Sequence, residues 1–316
     1  MFKRIFLFFA VSLLISVTVS LLMSVLGIGN YISANGLQYG TLFIYCLIWG
    51  MAGSFISLLM SKMIAKWTMG VQIVTVNGPH RQLVETVHRL ARKAGISEMP
   101  EVGIYQSRDV NAFATGRSKN ASLIAVSTGL LESMSDDAVE GVLAHEVAHA
   151  ANGDMITMTL VQGVVNAFVM FFSRIAAFAV SQALRSSDDD DRRGNPWVTM
   201  GLTFAFDILF GFLALPIVAW FSRYREYRAD EGGAVLASRE KMVAALESLQ
   251  RMYPRMEQAQ AEEGVNANFQ AMQISSKVRM LELISTHPPL EKRIAALKNM
   301  PKERLSRGSS SPALNV

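Results

Sequence analysis

From Ile5 to Ser61 the chain carries no Asp, Glu, Lys or Arg over 57 consecutive positions. Ordinary soluble domains are about a quarter charged and do not leave so long a stretch without a charge. The run divides between Gly27 and Gly36, where Gly, Asn and Ser cluster as turn formers. Ile5 to Leu26 gives 22 residues, about 33 Å of helix, and Tyr39 to Met60 gives a second segment of similar length. Each is long enough to cross the hydrocarbon core of a bilayer. A cleaved signal peptide is the rival reading of the first segment, but its apolar part is longer than a signal core and a second span follows directly. Residues 1–62 therefore read as an N-terminal transmembrane hairpin. Lys3 and Arg4 precede it, Lys62 and Lys66 follow it, and its loop has no cation, which puts the amino terminus and everything after Lys62 on the cytoplasmic side.

Composition agrees with a membrane protein that carries a polar domain. The chain is 51% hydrophobic, 18% charged and 316 residues long, with a mean hydropathy of +0.27. A net charge of +4 suits the anionic cytoplasmic face of a membrane. No compact basic and aromatic motif suggests nucleic acid. The single cysteine, Cys46, lies in an apolar run, so no disulfide framework, cysteine zinc site or thiol nucleophile is indicated.

A second apolar pair spans about Met155 to Leu184 and Trp197 to Phe221, split by a polar loop from Ser186 to Asn195. Two crossings return the chain to the side it left. Arg185, Arg192 and Arg193 count against a fully translocated loop, which leaves a shallow hairpin as the alternative. Arg174 and Asp207 are the one interior charge of each segment, equidistant from the loop, and an ion pair between them is expected because an unpaired charge in a bilayer is expensive. The alternative is that Arg174 snorkels and Asp207 faces water.

Between the hairpins, residues 63–154 are mixed polar. Val71 to Val76 reads as a strand with a turn at Asn77 to Pro79. Leu83, Val84, Val87, Leu90, Ala91 and Ala94 recur at helical period before Gly95. His80 and His88 flank that helix or face outward. Val102 to Tyr105 and Leu123 to Val126 read as short strands. Ser135, followed by Asp136 and Asp137, opens a helix.

Inside that helix stand His145, Glu146 and His149, a His-Glu-x-x-His pattern. Residues four apart share a helix face, so the two imidazoles can converge on one ion, for which zinc is the natural choice. Glu146 lies beside the same face, placed to take a proton from the attacking water, a carboxylate that a purely structural site would not require. A catalytic zinc usually has three protein ligands. Glu226 is the candidate third, and Asp230, four residues on, is a candidate carboxylate to accept an N–H from a ligating histidine. Taken alone, each of these two acids would read as a solvated charge in a basic run.

These residues, together with Asn111 to Gly116 and Thr286 to Pro289, resemble the HtpX heat-shock protease family, integral-membrane zinc metalloproteases of the gluzincin type, over nearly the whole chain. The resemblance implies a membrane α-helical protein with four candidate transmembrane helices and a mixed α+β, zincin-like catalytic domain. Its parts would be 63–154 with the zinc helix, the second hairpin 155–221 and 222–300 with the third ligand, while the tail 301–316, basic then Ser-rich, reads from its composition as disordered. It implies one zinc ion per chain and endoproteolysis of misfolded membrane proteins or unfolded chains, as stress-linked quality control in a bacterial inner membrane. It suggests that Asn111, Ala112, Phe113 and Ala114 form an edge strand that binds substrate. Without it, this stretch reads as a glycine-terminated loop. It makes His287 a candidate oxyanion or substrate-orienting donor, against a capping or buried polar contact. After Asp230 a helix is expected to about Tyr253, then a mobile loop from Arg255 to Asn268; the methionines from Met242 to Met280 read as core filler. The non-protease alternatives are a membrane scaffold with a structural zinc and a transporter, for which four spans are few.

Overall fold

The computed structural model describes residues 39–184, 196–262, 287–301 and 303–304. The expected first span Ile5 to Leu26, the loop Ser186 to Asn195, the stretch 263–286 and tail residues 305–316 lie outside the described residues. Among the described residues, three helices are long and apolar enough to cross a membrane: α1 (Tyr39–Met69), α5 (Asp154–Ala183) and α6 (Pro196–Leu236). The protein is thus a multi-pass helical membrane protein with a small mixed sheet.

The sheet strands are β1 (Gln72–Val74), β2 (Glu101–Tyr105), β3 (Ala112–Gly116) and β4 (Ser122–Ser127), in the order β1-β2-β4-β3. β2 and β4 are parallel, and both outer pairs are antiparallel. Helix α2 (Arg81–Lys93) forms where the helical period of apolar residues indicated, and it buries Leu83, Val84, Val87, Leu90 and Ala91. A short helix, α3 (Thr128–Ser133), leads into α4 (Asp136–Ala151), which carries the His-Glu-x-x-His pattern. Helix α7 (Arg239–Glu262) follows a break after Leu236, and α8 (Leu290–Lys298) closes the described chain. Residues 255–262, expected as loop, continue α7.

Strand alternation sorts the sheet's side chains onto two faces. Val102, Ile104, Ile124 and Val126, with Ala112 and Ala114 of β3, pack with Leu143, Ala144 and Val147 of α4 in the main core. Tyr105, Leu123, Ala125 and Phe113 form a smaller cluster on the other face. Close approach of helices sets α4 in place. A Cβ on Gly141 would lie 2.3 Å from the carbonyl oxygen of Lys241 on α7, so only glycine fits there. At the far end of α4, Gly153 has φ +68, a left-handed value that L side chains rarely adopt. The chain thereby turns from α4 directly into α5 at Asp154.

The chain divides into two units, 1–56 with 160–215 and 57–159 with 216–316, and all three divisions fall inside helices α1, α5 and α6. In the first unit Gly50 meets the Ala167 backbone at 2.6 Å from an added Cβ, the small-residue contact typical of helices in lipid. Ile44, Ile48, Phe168, Phe172, Phe212 and Leu213 point outward, as a lipid solvent permits. The expected ion pair does not form: no salt bridge joins Arg174 to Asp207, and Arg174 Nη1 donates to the Met170 carbonyl at 3.0 Å. A charge within a membrane segment is satisfied either by an opposite charge or by a backbone carbonyl, and Arg174 takes the carbonyl of the preceding turn. Asp207 Oδ1 is buried without a hydrogen bond.

Candidate metal centre

Helix α4 presents His145 and His149 on one face, and α6 brings Glu226 to meet them. Glu226 is 2% exposed and His145 is buried. His145 Nε2 lies 3.1 Å from His149 Nε2 and 3.4 Å from Glu226 Oε2, while His149 Nε2 lies 3.3 Å from Glu226 Oε1. Tetrahedral ligation at about 2.0–2.1 Å requires ligand atoms roughly 3.3–3.4 Å apart. The pairwise approaches come close to it, the two to Glu226 being made to different carboxylate oxygens, and one ligand atom from each of the three residues lies within 4.8 Å of the others. Glu226 Oε2 is buried and accepts no hydrogen bond although nitrogens surround it, and two imidazoles with one carboxylate are the donor set of a catalytic zinc.

Each imidazole is held from behind. His149 Nδ1 donates to Asp154 Oδ2 at 2.5 Å, leaving Nε2 to face the cluster. His145 Nδ1 is 3.0 Å from Asp230 Oδ1, a close charge contact whose N–H is not aimed for a hydrogen bond. Asp230 in turn accepts two bonds from the buried Arg293, Nε to Oδ2 at 2.8 Å and Nη2 to Oδ1 at 2.6 Å. Arg225 Nη1 donates to the Asp154 carbonyl at 3.2 Å.

The electrostatics follow from this packing. Burial disfavours a charged imidazole, but the Asp230 and Glu226 carboxylates outweigh it at His145 and raise its pKa to about 10. His149 is raised against burial by Asp154 and Glu226. Glu226, whose burial acts the other way, is held well below the usual carboxylate range by His145, His149 and His287. Arg293 and His145 do the same for Asp230.

Glu146 is half-buried, one residue along α4 from His145, and its charge reaches His149, Arg225 and Arg293. His287 is 64% exposed, with Nδ1 2.8 Å from Glu226 Oε2, so it stands at the open side of the cluster. Asn111 and the following β3 residues lie along the free edge of the sheet. His80 and His88 are elsewhere; the ring of His88 contacts the Pro100 carbonyl at 3.2 Å. Two residues of the site were not singled out from sequence. Asp154 had a local signal, an acid directly after the Asn152–Gly153 helix stop and five residues beyond His149. Arg293 had none, since 63 residues separate it from Asp230.

A membrane-spanning α+β protein with such a centre is a zinc metallopeptidase. A profile of peptidase family M48 matches residues 78–301. Protease HtpX of Shewanella baltica (strain OS185) is 50% identical over 298 residues, covering 94% of this chain and 99% of that protein. Protease HtpX of Shewanella halifaxensis (strain HAW-EB4) is 49% identical over the same length. The chain belongs to peptidase family M48, in its HtpX branch. The crystal structure of S. mikatae Ste24p shares the fold, with a TM-score of 0.56 at 17% identity over 90% of this chain; the chain spans 64% of that longer one. Between hydrolase, scaffold and transporter, membership of the family decides for the hydrolase.

Proposed function

We propose that this enzyme is an endopeptidase that cuts misfolded or damaged membrane proteins, and unfolded chains near the bilayer, on the cytoplasmic side of a bacterial inner membrane. The observation that carries the reading is the convergence of His145, His149 and Glu226 within 4.8 Å of one another, with Glu146 on the helix of the two histidines. The side of the membrane is supported by Lys62 and Lys66 at the end of α1.

Zinc, when held by His145, His149 and Glu226, supplies Lewis acidity toward water and a carbonyl. Glu146 takes the proton of the attacking water and returns it to the leaving amine. Asp154 and Asp230 keep the two imidazoles turned toward the ligand cluster. His287, exposed beside Glu226, is placed to donate to the oxyanion or orient the substrate. The substrate pairs in extended form with β3. Ser127 N donates to Asn111 O at 2.9 Å, so in antiparallel alternation Phe113 and Thr115 are the next residues bonded to β4. The backbone groups of Ala112 and Ala114 then face the open edge, and their small side chains permit close approach.

Glu146→Gln should retain stoichiometric zinc and lose cleavage of an unfolded test protein by at least about 10³-fold. Proteolysis by a zinc-loaded Glu146→Gln enzyme would remove Glu146 from the mechanism. A membrane reporter with its unfolded segment on the cytoplasmic side should be cut, and the same segment on the other side left intact; the reverse would overturn the orientation.

A further inference from the structure

The last turns of α1 carry an exposed apolar stripe, Leu59 (64%), Met63 (58%) and Trp67 (86%), four residues apart. Lys62 and Lys66 run beside it at the same spacing. Glu101, at the start of β2, holds both: Lys62 Nζ is 2.6 Å from Oε1 and Lys66 Nζ is 2.6 Å from Oε2. Arg117, directly after β3, joins the wall of the same groove, which measures about 650 Å³. Cations from two distant stretches of chain thus converge beside an apolar strip, with three positive charges set against one carboxylate. Burial would raise the Glu101 pKa, but the two lysines keep it low, so it stays ionised and occupied. An ammonium has three donors; Lys62 has given one to Glu101 Oε1, and Lys66 stands against Oε2 as an ion pair without an aimed hydrogen bond.

We propose that this groove binds an anionic glycerophospholipid of the surrounding bilayer, its phosphodiester held by Lys62, Lys66 and Arg117 and an acyl chain lying along Leu59 and Met63. Trp67 then takes the interfacial position that aromatic side chains favour at the glycerol level. A zwitterionic lipid fits less well: its ammonium group finds no free acid in this wall, because both oxygens of Glu101 are taken by lysines. A small soluble anion would satisfy the cations but leave the stripe Leu59, Met63 and Trp67 without a function. The site is independent of the catalytic centre, although Arg117 follows the strand to which the substrate is assigned.

The test uses the full zinc-loaded chain in mixed micelles and the quenching of Trp67 by lipids brominated on the acyl chain. Subtracting the signal of Trp67→Phe isolates this one ring from Trp49, Trp197 and Trp220. Phosphatidylglycerol should quench at about fivefold or more lower mole fraction than phosphatidylcholine. Arg117→Gln should reduce that preference by about fivefold, the effect of one cation near a membrane. Glu101→Gln should increase it by a similar factor, a direction that loss of a structural contact would not give. Equal quenching by the two lipids overturns the proposal, as does a preference unchanged in both variants. If Arg117→Gln fails to fold, Glu101→Gln decides alone. Relief of quenching by excess inorganic phosphate would show a site for free anions and overturn the lipid assignment.

Discussion

Asp154 holds His149 by a single short hydrogen bond and is itself 4% exposed. A partner of this kind fixes the tautomer and raises the basicity of a ligating imidazole, and its loss typically weakens metal binding by about 10–100-fold. Asp154→Asn should therefore lower zinc affinity by that factor in a chelator competition; an unchanged affinity would deny Asp154 this role. At the other end of α4, Glu140 bonds Lys241 at 2.9 Å and Arg89 at 2.9 Å, with 17% of its side chain exposed. Burial would raise its pKa, and the two cations hold it below the ordinary 4.5. A carboxyl depressed in the folded state contributes stability that is present above its unfolded pKa and is lost as pH falls through the folded one. Glu140→Gln should lower stability by about 1 kcal/mol at neutral pH, and the gap to wild type should close as pH falls below about 4.5. A gap that stays constant from neutral to acid pH would mean the charge contributes nothing.

At the scale of the element, β3 is an edge strand with one side bonded to β4 and the other open. Proline removes a backbone donor, and the effect depends on which side that donor faced. Ala114→Pro removes an N–H from the open side, so it should reduce kcat/KM on an unfolded protein by about tenfold or more while leaving Tm nearly unchanged. Thr115→Pro removes a bond to β4 and should lower Tm clearly more. If both variants lose activity and stability in the same proportion, substrate does not pair with this edge. Helix α6 shows a different use of an element: one uninterrupted helix of 41 residues contains both an apolar span and the ligand Glu226. The position of that ligand is thus inherited from a membrane helix rather than from a loop.

For the whole molecule, the metal joins α4 and α6, segments some eighty residues apart in sequence. Zinc binds the folded state, so it should stabilise that state by mass action, about 2.7 kcal/mol at a hundredfold excess over Kd. Stripping zinc should lower Tm by several degrees, about 2–4 °C per kcal/mol for a protein of this size, with recovery on zinc but not magnesium. A Tm indifferent to metal removal would be incompatible with three ligands drawn from two helices.

The sequence by itself determined the features that local periodicity sets. A helix repeats every 3.6 residues, so His145 and His149 had to share a face. An uncharged stretch of 57 residues had to find an apolar solvent. The 3.6-residue recurrence of apolar residues on α2 predicted which of them are buried. The tertiary structure decided which partner each polar group takes, because that choice depends on chain segments brought together by packing. Arg174 turned to a carbonyl on its own helix instead of Asp207, Asp230 found Arg293 far along the chain, and Ala112 to Gly116 became an edge strand only because β4 was there to pair with. Spacing along the backbone fixes what faces the same way, and only long-range packing fixes what it faces.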